Sequence, residues 1–248
     1  MGINHPKHTE VPREKEAHVT AVFPDTALPV VTPAGVYAPQ EDSQLLIDTL
    51  LASGLAPGSR VADLCTGSGV VAVAAAAMGA SEVMAFEISE EAADCAAANA
   101  YVAGVAVDIR CGSWTLARDC SPFDLVTANP PYVPTMDDDP HGPLVSAGPA
   151  RAWNAGPDGR MILDPLCDSA GDLLSHGGSL LLVQSSFADV TQSLRRLRSA
   201  GLTADVVASQ WIPFGPVLMA RAQWLEYTGL LPVGQRLEEL VVIRADKP

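Results

Sequence analysis

The sequence predicts an α/β protein with a doubly wound, mainly parallel sheet of seven strands and helices on both faces. Three observations carry that prediction. From residue 41 onward, short apolar runs alternate with helical patterns. A glycine-rich turn, Cys65 to Gly69, closes the first of those runs and opens directly into a helix, and a polar residue or loop, Glu87 and Asn129 among them, ends the later ones. Strand and helix alternating at this spacing require right-handed crossovers and a sheet covered on both sides. Ligands in such folds bind at the carboxyl ends of the strands.

The elements follow in order. Leu45, Leu46, Ile47, Leu50 and Leu51 recur at helical spacing behind Asp42 or Ser43 as a cap, and Pro57-Gly58 breaks the chain before the first strand. Strands are expected over 60–65, 82–87, 106–111, 123–128, 179–184, 203–208 and 239–244, all of ordinary strand length. Helices are expected over 70–78, over 90–103 behind a Ser89 cap with Glu90 and Glu91 at the positive helix end, and over 188–199. Asp164 before Pro165 reads as a cap plus first-turn proline, for a helix running to Leu174. Residues 211–237 separate the last two strands and hold a helical stretch over 217–227, either a functional insertion or a cover for the sheet edge. Residues 1–20 are polar and carry three of the five histidines; they read as a mobile arm, which leaves 21–248 as one domain.

Composition narrows the function. The 248 residues are 48% hydrophobic and 18% charged, enough apolar material for a core. Lys and Arg number 15 against 29 Asp and Glu, a net charge of -14, so nucleic acid is an unfavourable partner. The apolar run from Val70 to Gly79 is far shorter than a membrane span, and the N-terminus lacks the apolar stretch of a secretory signal. A cytoplasmic protein without a membrane partner is expected. Five cysteines without a C-x-x-C pair fit reduced thiols rather than a disulfide framework or a metal site.

The chemistry gathers at strand ends. In Asp63-Leu64-Cys65-Thr66-Gly67-Ser68-Gly69 the glycines permit a tight turn, and the free N–H groups of the following helix favour electron-rich atoms. Taken alone the loop also fits a dinucleotide enzyme or a plain structural turn. Glu87 ends the second strand, where a carboxylate can accept from both hydroxyls of a ribose. Asn129-Pro130-Pro131-Tyr132 follows the apolar run Phe123 to Ala128; its prolines remove two N–H donors, leaving the Asn129 oxygen and the Pro130 carbonyl to accept from a substrate NH2 group. Cys65 reads as a packed thiol rather than a nucleophile. Asp137, Asp138 and Asp139 form either an acidic lip or a solvated run, and Arg195, Arg196 and Arg198 an exposed basic face. His141 and His176 are given no role.

Together these residues resemble the motif set of class I S-adenosylmethionine-dependent methyltransferases that modify amide or exocyclic amine nitrogen. Tyr37 to Leu46 before the first helix, and Trp153 to Arg160 after the Asn129 loop, are similar to HemK-like protein-glutamine N5-methyltransferases, in particular the short branch without an N-terminal helical domain. The resemblance runs from about residue 30 to the C-terminus. It implies a Rossmann-like sheet with an antiparallel C-terminal strand, S-adenosyl-L-methionine as cofactor, and transfer to a glutamine side chain in a protein such as a release factor. Alternatives are a small-molecule amine or amide acceptor, adenine N6-methylation of nucleic acid, and a module that binds cofactor without turnover. It further implies that Gly67 and Gly69 pass close to the methionine part of the cofactor, Asp63 lies near its amino group, and Glu87 takes its ribose hydroxyls. Asp42, Thr66, Ile88 and Asn129 join that side, with Ser113 and Trp114 near the adenine in place of the acidic residue common in the family. Asn129 and Pro130 would grip the acceptor amide and Tyr132 wall its pocket. A small activating partner protein is a further family-implied possibility.

Overall fold

The computed structural model describes residues 17–22, 27–33, 35–136 and 149–248. The chain begins with a separate antiparallel hairpin, β1 (Ala17–Val22) and β2 (Ala27–Thr32), in which Ala17 faces Thr32 and Val22 faces Ala27. Residues 17–20, expected in a mobile arm, therefore lie in a strand, held by the backbone ladder with β2; residues 1–16 fall outside the described residues. α1 (Glu41–Ser53), β3 (Arg60–Leu64), α2 (Val70–Ala77), β4 (Glu82–Glu87), α3 (Glu90–Ala103) and β5 (Asp108–Cys111) follow. Then come α4 (Ala117–Cys120), β6 (Phe123–Ala128), α5 (Leu163–Leu173), β7 (Leu174–Ser185), α6 (Val190–Ser199), β8 (Thr203–Pro213), α7 (Pro216–Tyr227) and β9 (Leu237–Asp246).

Seven of these strands form one sheet in the order β5-β4-β3-β6-β7-β9-β8. All run parallel except β9, which is antiparallel to β7 and β8 on either side. The expected doubly wound sheet with a reversed C-terminal strand is what the chain adopts. The order reverses between β3 and β6, so the crossovers diverge there and a crevice opens beyond their carboxyl ends.

The strands read as unbroken apolar runs because successive side chains enter two different cores. Ala62, Leu64, Met84, Phe86, Val126, Leu180, Leu182 and Ile243 pack with Leu163, Leu166 and Leu173 of α5, Leu197 of α6 and Leu218 and Leu225 of α7. Their immediate neighbours Val61, Val83, Ala85, Leu125, Leu181, Val183 and Val242 pack with Leu46, Ile47 and Leu50 of α1 and Val71 and Ala74 of α2. β2 is tied to the domain by Asn99 of α3, whose amide oxygen accepts from the Val31 N–H at 3.0 Å and whose amide nitrogen donates to the Ser68 carbonyl at 2.9 Å.

Several boundaries depart from the sequence reading. Neither Asp42 nor Ser43 caps α1, which starts at Glu41 behind Gln40; the Asp42 carboxylate is committed to other partners in the site. Asp164 is likewise not a cap but lies inside the first turn of α5, ion-paired to Arg160 and Arg196 at 2.8 Å each. Ser89 does cap α3, accepting from the Ala92 N–H. β8 continues past Ala208 to Pro213 through an irregularity in its pairing with β9, so Trp211 belongs to the sheet edge. Among the described residues, no helix is long and apolar enough to cross a membrane.

Candidate active site

At the end of β3 the chain turns sharply. Cys65 takes φ 57°, a left-handed conformation unusual for a residue with a side chain, and Gly67 and Gly69 at φ 56° and 82° complete the turn into α2. Asp63 and Thr127 are cross-strand partners in the parallel β3–β6 pair, which puts both side chains on one face. The Thr127 hydroxyl donates to Asp63 Oδ1 at 2.7 Å and the Thr66 hydroxyl to Oδ2 at 2.5 Å. Burial pushes the Asp63 carboxyl up to about 6, against the pull of those hydroxyls. Burial also lifts the Cys65 thiol far above its usual range, with the Glu87 and Asp63 charges adding to the effect. It stays protonated, as a packed thiol should.

Glu87 closes the same corner. Its Oε2 accepts from the Gly67 N–H and its Oε1 from the Ser89 N–H, both at 2.9 Å, so one carboxylate fixes the glycine turn and the start of α3. A carboxylate has about four acceptor positions, which leaves Glu87 capacity toward the cavity that it lines. Gly67 faces open space where a side chain would stand. Gly69 does not line the cavity. A Cβ there would lie 2.8 Å from the Cβ of Ala96, so this glycine serves the close approach of α2 to α3.

The other end of the cavity is assembled from distant segments. Asn129 follows β6, and its side-chain nitrogen donates to the Ser43 hydroxyl at 3.2 Å, which turns the amide oxygen away from Ser43. The Tyr132 hydroxyl donates to Asp42 Oδ2 at 3.0 Å, while Asp42 Oδ1 accepts from the Ser43 N–H at 2.6 Å. Burial and the Asp42 carboxylate hold the Tyr132 phenol well above its usual range, so it remains a donor. Tyr37 stacks obliquely on Trp153, ring centres 5.7 Å apart. The Asn129 loop is held from beneath by two exchanges between Val133 and the 153–155 segment, at 2.8 and 3.0 Å. Gly159 is required below it, since a Cβ there would stand 2.3 Å from the Tyr132 carbonyl. Arg221 of α7 donates to the Pro134 carbonyl at 2.9 Å and to Asn154 Oδ1 at 2.6 Å, so the insertion between the last two strands braces the site.

Of the residues expected from sequence, Asp42, Asp63, Thr66, Gly67, Glu87, Ile88, Ser113, Trp114, Asn129, Pro130 and Tyr132 line one cavity of about 310 Å3. Ile88 is 54% exposed and forms part of its rim, whereas Trp114 is buried. The Ser113 hydroxyl accepts from the Thr115 N–H and hydroxyl, so it caps a short turn as well as facing the cavity. Sequence reasoning missed the roles of Ser43, Tyr37, Trp153, Thr127 and Asn99. Tyr37 and Trp153 lie in stretches that carry the family resemblance, but their pairing across the chain leaves no local pattern. Asp137, Asp138, Asp139 and His141 fall outside the described residues. Arg196 and Arg198 pair with Asp164, Asp168 and Asp205, an ion-paired surface away from this cavity.

A family model described as the methyltransferase small domain matches residues 27–141. Human HEMK2, described as a methyltransferase, is 32% identical over 184 residues, covering 71% of this chain and 83% of that protein. The release factor glutamine methyltransferase of Deinococcus radiodurans is 38% identical over 148 residues, covering 59% of this chain but only 52% of the relative, so the chain spans about half the length of that enzyme. Among solved structures, the E. cuniculi Mtq2-Trm112 complex responsible for methylation of the eRF1 translation termination factor superposes with a TM-score of 0.58 at 20% identity, over 86% of this chain and 99% of the other.

Proposed function

The chain belongs to the HemK-like methyltransferase family, and from that premise we propose that it methylates the side-chain amide of a glutamine in a protein, with a translation release factor as the substrate. The observation that carries the reading is the single cavity that joins the Glu87 corner to the Asn129 loop. The residues fit S-adenosylmethionine, the methyl donor of the family. Glu87 has acceptor capacity left, and Gly67 opens space beside it. When bound, that donor supplies a methyl group already activated by its positive sulfur.

The chain's own residues then have to bind and align. Glu87 takes the ribose hydroxyls, with Asp63, Thr66 and Gly67 at the methionine end and Ser113 and Trp114 at the base. An amide nitrogen is a poor nucleophile because its lone pair is delocalised into the carbonyl. With its own nitrogen held by Ser43, Asn129 presents its oxygen, and the Pro130 carbonyl beside it is free of helix or sheet pairing; both accept from the substrate NH2 group. These bonds orient the nitrogen and favour the charge that develops on it. Tyr132, kept protonated, walls the pocket and is no base. With the positive sulfur becoming a neutral thioether, the surplus proton of the methylated nitrogen would pass to solvent water, so no dedicated base is needed for this step.

Two further parts of the reading rest on the relatives and the composition. A small activating partner protein is proposed because the E. cuniculi neighbour was solved as a complex. A cytoplasmic location is proposed from the acidic composition and the free cysteines. The test is to incubate the protein with methyl-labelled S-adenosylmethionine and an extract of cells lacking its gene. Label in one protein, mapped to a glutamine, is expected. Label confined to small molecules or nucleic acid would overturn the glutamine assignment.

A further inference from the structure

Between β2 and α1 the chain forms a wall of the main cavity, which Gly35, Val36, Tyr37 and Pro39 all line. This wall lies along one face of α3. Gly35 passes so near Glu91 that a Cβ there would stand 2.6 Å from the carboxylate, and Val36 packs on Ala92 and Cys95. Asn99 follows four residues after Cys95 on the same face and is only 3% exposed. Its amide serves three backbone groups: Oδ1 accepts from the Val31 N–H at 3.0 Å, while Nδ2 donates to the Val31 carbonyl at 3.2 Å and to the Ser68 carbonyl at 2.9 Å. Ser68 belongs to the glycine turn and lines the same cavity. Asn99 therefore spans two walls of one cavity, although it does not line the cavity itself.

A side chain bonded to both walls makes their order mutual. Fixing the turn that carries the Ser68 carbonyl also fixes Val31, and beyond it the segment that brings Tyr37 to its stack on Trp153. Coupling of this kind needs no displacement, only that a ligand which orders one wall lowers the entropy cost of ordering the other. We propose that Asn99 is a positioning residue that couples the cofactor's turn to the 35–39 wall, so that bound S-adenosylmethionine orders the Tyr37 side of the acceptor end before an acceptor arrives. Asn99 touches neither the cofactor nor the acceptor. The proposal goes beyond the glutamine reading, because it rests on the cofactor alone and holds for any acceptor.

The test is amide hydrogen exchange on the full chain, with and without saturating S-adenosylhomocysteine, beside calorimetry of the same ligand. Gly67 and Gly69 report on the turn and Val31 and Val36 on the wall; each of these N–H groups donates within the protein. In the wild type the ligand should slow exchange at both pairs. Asn99→Asp is near-isosteric: it keeps an acceptor for the Val31 N–H and gives up both donor bonds. In that variant the ligand should still protect Gly67 and Gly69 but no longer Val31 and Val36. Its dissociation constant should rise about tenfold, as binding must then fix about one residue's backbone that the wild type holds beforehand. A merely structural Asn99 would lower the unfolding temperature of the variant and leave the wall's response to the ligand in place, which would overturn the proposal. The wild type decides the matter even if the variant does not fold: protection of Gly67 and Gly69 with unchanged exchange at Val31 and Val36 would overturn the coupling alone. Protection at neither pair would overturn the cofactor assignment and the coupling with it.

Discussion

The two ends of the main cavity are built in different ways. The Glu87 corner comes from residues 63 to 89, two adjacent strands and the turns after them, and it is internally bonded: Glu87 holds Gly67 and Ser89, and Asp63 holds Thr66. The Asn129 end draws on the 37–43 segment, the loop after β6 and the 151–162 segment, joined by long-range contacts such as Asn129–Ser43 and Tyr132–Asp42. A corner preformed by local turns suits a ligand common to a whole family. An end assembled from distant segments can vary with the acceptor while the fold stays the same.

That contrast can be broken by substitution. The largest effect is expected at Asn129→Ala, which removes the acceptor proposed for the substrate NH2 group; methyl transfer at saturating cofactor should fall by about 10²–10³, as for loss of one preorganised polar contact in an active site. A retained rate would show that Pro130 alone suffices.

Next comes the pH dependence of stability. Asp63 binds a proton more tightly folded, at about 6, than its ordinary 3.8. Between those values the native state holds a proton that the unfolded chain has released, so stability should decline as pH rises through that window, by about 1.4 kcal/mol per pH unit of the difference. Burial lifts Glu238 of β9 as well, from 4.5 to about 7, which extends the decline upward. Urea unfolding across this range should show the loss in the wild type and a flatter profile in Asp63→Asn. Identical profiles would mean that Asp63 is ionised in the fold at low pH.

A smaller effect is expected at Glu87→Ala. Cofactor affinity should weaken by about 1–3 kcal/mol, measured by calorimetry, because a charged acceptor is lost and the Gly67 turn loses its tether. The smallest belongs to Tyr132→Phe. It deletes one hydrogen bond to Asp42 while keeping the ring, and should cost about 1 kcal/mol in folding stability with cofactor affinity unchanged.

The same contrast explains what the sequence disclosed. The sheet was legible because its strands are apolar on both faces and separated by helical patterns, and the gathering of Gly67, Glu87 and the Asn129 loop around one cavity was legible because each sits at a strand end. Gly69 has a structural role that its spacing did not disclose, since the same pattern serves a turn beside a ligand and the close packing of α2 on Ala96. Asp42 and Asp164 both looked like caps, because a carboxylate near a helix start has the same local pattern whether it binds the helix or a distant Tyr132 or Arg160. Tyr37 with Trp153 and Asn99 with Ser68 pair residues far apart in the chain, and no periodicity records such contacts.

The division of labour between the two ends is tested most directly by the affinity of Asn129→Ala for S-adenosylhomocysteine, measured by calorimetry beside the wild type. The account predicts a dissociation constant unchanged within about twofold, well inside the factor of ten that 1.4 kcal/mol represents, in a variant whose methyl transfer falls by about 10²–10³. Loss of cofactor binding in that variant would contradict it, because Asn129 would then belong to the cofactor's own site rather than to the acceptor's.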